Sequence, residues 1–413
     1  MVATLGLVAA TAACGGSAGH LRAAATTPAT TGATTTGTPT TASSTTETST
    51  TMPSTSTVPA TSTTVPAPPT TPSCTNDSVI ASWPVARRAA ELVVMPSFDF
   101  DLSGLSSLIS GGIGGVLFLG DAPAPPDLAS QLAAAEQGAP PGGVPLVMAD
   151  EEGGGIQRLA GVVSSFPWPR TIAATMTTAQ TEALGDSVGT QMRQAGVNVN
   201  LAPVLDVDGG DGPNAADADG WRSFSADPDT AAGYGVAFLQ GLRQAGVIPV
   251  VKHFPGLGGA ADTDEAPAAT QPLSELLTTG LPPFRAAIAA GAPAVMISNA
   301  SVPGLTTLPA SLSSAVIEGL LREQLGFTGL VITDSLSAGA ISQAGYSIPQ
   351  AAVAAITAGA DQILFGSTPT VQITEQIIQA IVAANAAGTL STTELNQAVA
   401  QVIRAKGVNL CAP

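Results

Sequence analysis

The chain has 413 residues, with 13 Lys and Arg against 30 Asp and Glu, for a net charge of −17. No basic cluster accompanies that balance, so the electrostatic footprint of a nucleic-acid-binding protein is missing, and beyond the N-terminus no apolar run approaches the about 18 residues of a spanning helix. Charged residues are only 10% of the chain, well below the usual quarter or so, while Ala and Gly are abundant.

Residues Met1 to Ala13 form a short, apolar, Ala-rich stretch ending in Thr11-Ala12-Ala13-Cys14, which reads as the apolar core and small-residue cleavage site of a secretory signal. The cysteine directly after the small residues resembles that of a bacterial lipobox. Residues 1–14 are therefore expected to be a signal peptide with lipidation at Cys14. The protein is expected outside the cytoplasm, either secreted or anchored by lipid alone to the outer face of the bacterial cytoplasmic membrane. Residues 15–73 are mostly Thr, Ser, Pro, Ala and Gly, too polar and unbranched to bury the surface that would offset their ordering entropy, so a disordered tether is expected there. Cys74 opens the remaining 340 residues and Cys411 nearly closes them. In an oxidising compartment this pair is expected to form a disulfide that clips the chain ends together, closing a loop long enough to stabilise by a few kcal/mol.

From residue 74 to 413, short apolar or β-branched runs recur: Leu92 to Met95, Gly115 to Leu119, Val144 to Ala149, Val197 to Leu205, Val247 to Lys252, Ala294 to Ser298, Gly329 to Thr333 and Gln362 to Phe365. Helical patterns lie between several of them: Thr178 to Ala195, Pro228 to Ala245, Leu273 to Ala290, Ser313 to Leu325 and Pro349 to Ala358. Eight continuously apolar strands separated by helices predict an α/β fold, a single (β/α)8 TIM-type barrel with both strand faces buried. In such a barrel the chemistry sits where strands end. The third run ends in Asp150-Glu151-Glu152, the fourth in Asp206, the fifth in Lys252-His253, the sixth in Asn299 and the seventh in Asp334. The chain has two lysines and two histidines in all, and one of each sits adjacent at a single strand end.

No phosphate cradle of Walker type, no Cys/His cluster with zinc spacing and no G-x-S-x-G elbow is present, so neither metal nor cofactor is expected. Carboxylates gathered with Arg and Lys suit a polyhydroxylated substrate, and glycoside cleavage needs two carboxyl-type groups, one at the anomeric carbon and one moving a proton. A Schiff base on Lys252 is the other chemistry that such a rim allows.

The segment Lys252-His253-Phe254-Pro255-Gly256-Leu257-Gly258 resembles the KHFPGHG motif of glycoside hydrolase family 3, in its single-barrel β-N-acetylhexosaminidase branch. "ADEEGGGIQRL" (Ala149 to Leu159), "GVNVNLAPVLDV" (Gly196 to Val207), "WRSFSADP" (Trp221 to Pro228) and "GLLREQLGFTGLVITDSLSAGAI" (Gly319 to Ile341) are similar, in order, to that branch's other motifs. The resemblance covers roughly Val79 to Lys406 and leaves no place for an aldolase. It implies a retaining hydrolase, expected to be a monomer, that removes terminal β-linked N-acetylglucosamine from peptidoglycan-derived glycans or muropeptides. The alternative is a catalytically impaired glycan-binding lipoprotein of the same fold. Carried over by motif, Asp334 matches the nucleophile, and Asp150, Arg158, Arg222, Lys252 and His253 match the positions that hold the non-reducing sugar. Asp206 is read as a buried acid supporting the rim.

The proton shuttle departs from the family pattern. Where the branch carries an Asp-Ser-His triplet, this chain reads Gly259-Ala260-Ala261-Asp262-Thr263-Asp264-Glu265, and no histidine follows His253. Asp264 and Asp262 are the candidate acid/base residues. Asp264 is favoured over Asp262 and Glu265 because it ends its triplet where the family's His ends its own. A carboxyl group of this loop can take the role if burial raises its pKa, which neighbouring acids assist. Gly280 and Asn299 also stand where the family usually has Asp and His.

Overall fold

The computed structural model describes residues 74–412. The signal peptide, the lipidated Cys14 and the tether expected over residues 1–73 lie outside the described residues. The eight apolar runs form eight parallel strands: β1 (Val94–Phe98), β2 (Gly115–Leu119), β3 (Leu146–Ala149), β4 (Val199–Asn200), β5 (Ile248–Phe254), β6 (Ala294–Ile297), β7 (Leu330–Ser335) and β8 (Gln362–Leu364). They pair in chain order. The first and last meet through a parallel bridge between Val93 and Ile363, where Ile363 N–H donates to the Leu92 carbonyl at 2.9 Å, and this closes the barrel.

The strands are continuously apolar because each faces both the barrel interior and the surrounding helices. Met95, Val116, Met148, Val251 and Val295 are all essentially inaccessible to solvent. Phe254 of β5 packs edge-on against Phe284, ring centroids 5.3 Å apart. The β4 ladder is shorter than the run expected from Val197 to Leu205, and the reason is local: Pro203 has no N–H to give. The chain nevertheless follows β5 further, since Lys252 N–H donates to the Pro203 carbonyl (3.2 Å) and Leu205 N–H to that of Lys252 (2.6 Å).

Helices Thr178–Gln194 and Pro228–Gln244 follow their expected bounds to within a residue and start on good caps. Thr177 and Gln180 form a reciprocal capping box, and Asp227 accepts from Thr230 N–H with Pro228 at the first helical position. The helix expected from Leu273 to Ala290 is two helices, Leu273–Leu276 and Leu281–Ala289. Pro282 and Pro283 are tolerated only in a first turn, so the second helix must begin where they stand. The segment expected as a helix from Ser313 to Leu325 is wound as a π-helix over Ala315–Gln324.

The two ends of the described region meet beneath the barrel. Cys74 and Cys411 are joined by a disulfide with their Cα atoms 5.8 Å apart. Asn76 adds two hydrogen bonds, Nδ2 to the Val408 carbonyl and Oδ1 from Leu410 N–H, both 2.8 Å. Lys406 pairs with the fully buried Glu91, just ahead of β1. Among the described residues no helix is long and apolar enough to cross a membrane.

Candidate active site

The polar strand ends converge on the C-terminal rim, as the fold dictates. Lys252, in β5, is buried and its Nζ lies 2.5 Å from Asp150 Oδ1 and 2.6 Å from Glu152 Oε1, both just past β3. Glu152 takes a second cation: Arg222 Nε reaches Oε2 at 2.8 Å and Nη2 reaches Oε1 at 3.0 Å, a bidentate pair. Burial alone would raise the Glu152 pKa, but Arg222 and Lys252 overcome it and hold the carboxyl well below the usual range. Burial would likewise lower the Lys252 pKa, and Asp150 and Glu152 reverse it, so the ammonium stays charged. The result is a fixed array of donors and acceptors with Asp150 partly open to solvent.

His253 is aimed by Asp206. Asp206 Oδ2 lies 2.7 Å from His253 Nδ1 and also accepts His253 N–H at 3.0 Å, while Oδ1 accepts Leu257 N–H at 2.7 Å. With all of these partners and no solvent exposure, Asp206 is a rim support. The other ring nitrogen, Nε2, faces Arg222 Nη2 at 3.4 Å. Asp219 completes a cluster with Asp206 and His253 whose ligand-type atoms lie within 4.8 Å of one another. Arg222 stands beside both Asp219 (3.8 Å) and His253, so the positive charge in this cluster is a guanidinium. Burial, then Asp206, pushes the Asp219 pKa well up, and its carboxyl oxygens have no hydrogen-bond partner.

Arg222 sits on the 3₁₀ turn Gly220–Arg222 of the loop after β4. That loop is braced from two sides. Arg170 donates to the carbonyls of Asp208, Gly210 and Gly220 at 2.6–3.0 Å. The carboxylates of Asp208 and Asp217 accept Gly220 N–H at 2.8 and 3.1 Å. Gly220 has φ of +49°, and a Cβ there would lie 2.0 Å from the Gly212 carbonyl oxygen, so no other residue fits.

Asp334 ends β7, half-buried, with its Oδ1 accepting Ser335 N–H at 2.7 Å. Asn299 steadies the same strand end: its Nδ2 donates to the Ser335 carbonyl (2.8 Å) and its Oδ1 accepts from Ser311 Oγ (2.6 Å). The Asp262 to Glu265 loop is sewn to the chain just beyond, with Gly339 N–H donating to the Asp264 carbonyl (2.9 Å) and Ala340 N–H to that of Thr263 (3.1 Å). Solvent reaches Asp264, yet the crowded rim and the neighbouring Asp334 and Asp262 charges push its pKa up to about 6.

Of the residues read from sequence, Asp150, Arg222, Lys252 and His253 form one connected group. Asp334 and Asp264 form a second group that feels the first electrostatically. Arg158 stands differently: its N–H donates to the Asp150 carbonyl (3.1 Å), while its guanidinium binds Asp121 (2.8 Å) and the Gly120 carbonyl (3.3 Å) at the end of β2. Glu152, which joins Lys252 to Arg222, was present in the sequence only as the third acid of a run. Its role depends on a partner 70 positions away. A hollow of about 660 Å³ lined by Glu318, Arg322, Asp361 and Arg404 lies on the barrel's flank and shares no residue with this site.

Comparisons with known proteins agree with this fold. The glycosyl hydrolase family 3 N-terminal domain matches residues 90–405. A β-hexosaminidase, LpqI, of Mycobacterium tuberculosis (strain ATCC 25618 / H37Rv) is 38% identical over 280 residues, covering 65% of this chain and 70% of that protein. Among solved structures, a glycosyl hydrolase of the same family from Mycobacterium smegmatis superposes with a TM-score of 0.72 at 33% identity, over 80% of this chain and 99% of its own. A family 3 β-N-acetylglucosaminidase from Paenibacillus gives 0.73 at 30% identity, over 79% of this chain and 62% of its own.

Proposed function

Since the chain belongs to glycosyl hydrolase family 3, we propose that it is a retaining β-N-acetylhexosaminidase that removes terminal N-acetylglucosamine from cell-wall-derived glycans. The observation that carries this reading is the rim itself, a charged group fit to hold one sugar beside two carboxyl groups, Asp334 at the end of β7 and Asp264 on the neighbouring loop. Asp150, Lys252, Arg222 and His253 supply the acceptors and donors that grip the hydroxyl and acetamido groups of the terminal residue. Asp334, held by Ser335 N–H, attacks the anomeric carbon and forms a glycosyl ester as the glycosidic bond breaks. Asp264, protonated up to about pH 6, gives its proton to the departing oxygen. It then takes one from the water that cleaves the ester. A carboxyl group thus does in this chain what the Asp-Ser-His triplet does in its branch. A place outside the cytoplasm, with a lipid anchor at Cys14, completes the proposal.

Turnover of an aryl N-acetyl-β-glucosaminide by the purified protein, set beside the corresponding glucoside, tests it. Release of the aryl group from the former and little from the latter is the expected result. A protein that binds N-acetylglucosamine but never turns over either substrate overturns the enzyme reading in favour of a glycan-binding protein.

A further inference from the structure

Among the described residues, four large apolar side chains are exposed, and Trp221 is the one aromatic among them, at 41%. Val144 lies at the opposite end of the barrel, ahead of β3. Trp221 instead directly precedes Arg222, whose guanidinium reaches into the sugar-holding group. An indole left in water at the edge of a polar site needs a reason, because its burial elsewhere would stabilise the fold.

The turn that presents it is unusually constrained for a surface loop. Trp221 N–H donates to the Gly212 carbonyl at 2.7 Å, in addition to the Arg170, Asp208 and Asp217 bonds to its neighbour Gly220. The same loop is hydrogen-bonded to the one that carries Asp264: Ala218 N–H donates to the Ala260 carbonyl (3.0 Å) and Asp262 N–H to that of Ala215 (3.2 Å). Ala218, Leu257, Ala260 and Ala300 form a small buried apolar cluster beneath the junction. The Trp221 turn and the proton-donor loop therefore make one continuous, rigid stretch of rim. A proton donor has to stand beside the glycosidic oxygen, so this stretch, which also sends Arg222 to the held sugar, borders the leaving group where it carries Trp221 and Asp264.

We propose that Trp221 is the binding surface for the leaving group, a site for a second pyranose whose apolar C–H face lies against the indole. The inference rests on the hydrolase reading and deepens it: the natural leaving group is itself a sugar. A pre-formed aromatic wall costs little ordering on binding, which is why it is held on a braced turn.

The test compares N,N′-diacetylchitobiose with methyl N-acetyl-β-glucosaminide in wild type, Trp221→Ala and Trp221→Phe. Trp221→Ala is expected to lower kcat/KM for the disaccharide by about tenfold, mostly through KM, and to leave the methyl glycoside within about twofold. Trp221→Phe is expected to keep most of the disaccharide rate. Equal losses on both substrates, or none on either, overturn the proposal. If wild type cleaves neither substrate, it is the hydrolase reading that falls. The site is then decided by direct calorimetric titration: tighter binding of the disaccharide than of N-acetylglucosamine, lost in Trp221→Ala, supports it, and equal binding of the two sugars refutes it.

Discussion

At the scale of single residues, the proposed mechanism divides the chemistry between two carboxyl groups, Asp334 and Asp264. Asp334→Asn keeps the shape of the site but cannot form the glycosyl ester. It is expected to lower kcat by about a thousandfold or more while binding N-acetylglucosamine nearly as well as wild type. Asp264 has its pKa raised by the crowded rim and by Asp334, to about 6, so the useful protonated form is lost as pH rises through that value. The kcat/KM profile should fall above about pH 6, and Asp264→Asn should remove that limb and slow methyl glycosides far more than activated aryl glycosides, whose departure needs little protonation. A limb that survives in Asp264→Asn would assign the proton to another group. Asp334 and Lys252 were legible in the sequence because a strand end announces itself by a polar residue after an apolar run. Glu152 and Asp219 were not, because what defines them is a partner brought in by another strand or turn. No local spacing predicts the Glu152 to Arg222 pair. Arg158 shows the converse: its place in a motif was plain, but its bond to Asp121 depends on the end of β2, 37 positions earlier.

At the scale of elements, the strands were readable because double burial demands β-branched and other apolar residues throughout, and β2 runs from Gly115 to Leu119 as its composition requires. Loops obey no such period. The stretch from Asp206 to Arg222 holds its shape through carboxylates that accept backbone N–H groups, an arrangement that composition alone leaves unspecified. Its tightest point is Gly220. Gly220→Ala forces a Cβ onto the Gly212 carbonyl at positive φ and should displace Arg222 and Trp221 together, raising KM by roughly tenfold or more at a stability cost of about 1–3 kcal/mol. Steady-state kinetics and thermal melting check the two effects, and an unchanged KM would mean that the loop tolerates the shift. The break in the helix after Leu276 could have been read from Pro282 and Pro283, whose place in a first turn limits where a helix starts.

At the scale of the whole molecule, acids buried away from the rim set the response to pH. Burial pushes Glu91 up to about 7 despite Lys406, and Asp361 up to about 7 despite Arg322. Both groups hold protons in the folded chain that the unfolded chain releases near pH 4, so their contribution to stability is greatest at low pH and is lost as pH rises from about 4 to about 7. Glu152 acts in the opposite sense below that range, because its depressed pKa costs stability once acid protonates it. The melting temperature should therefore peak near pH 5 and fall toward pH 8, as calorimetry at a series of pH values would show; a steady rise to pH 8 would contradict it. Replacing Cys74 and Cys411 together with Ala should lower the melting temperature by several degrees and leave kcat/KM unchanged, since the bridge constrains the unfolded chain and lies far from Asp334. That bridge has a mechanical corollary. Leu410 lies against Gly142, in the loop ahead of β3, so the joined ends sit at the closed floor of the barrel, and Cys74 and Cys411 are one covalent point there. A pull applied at residue 74 passes straight into residue 411 and loads two termini at once, so no single strand can be peeled from the sheet.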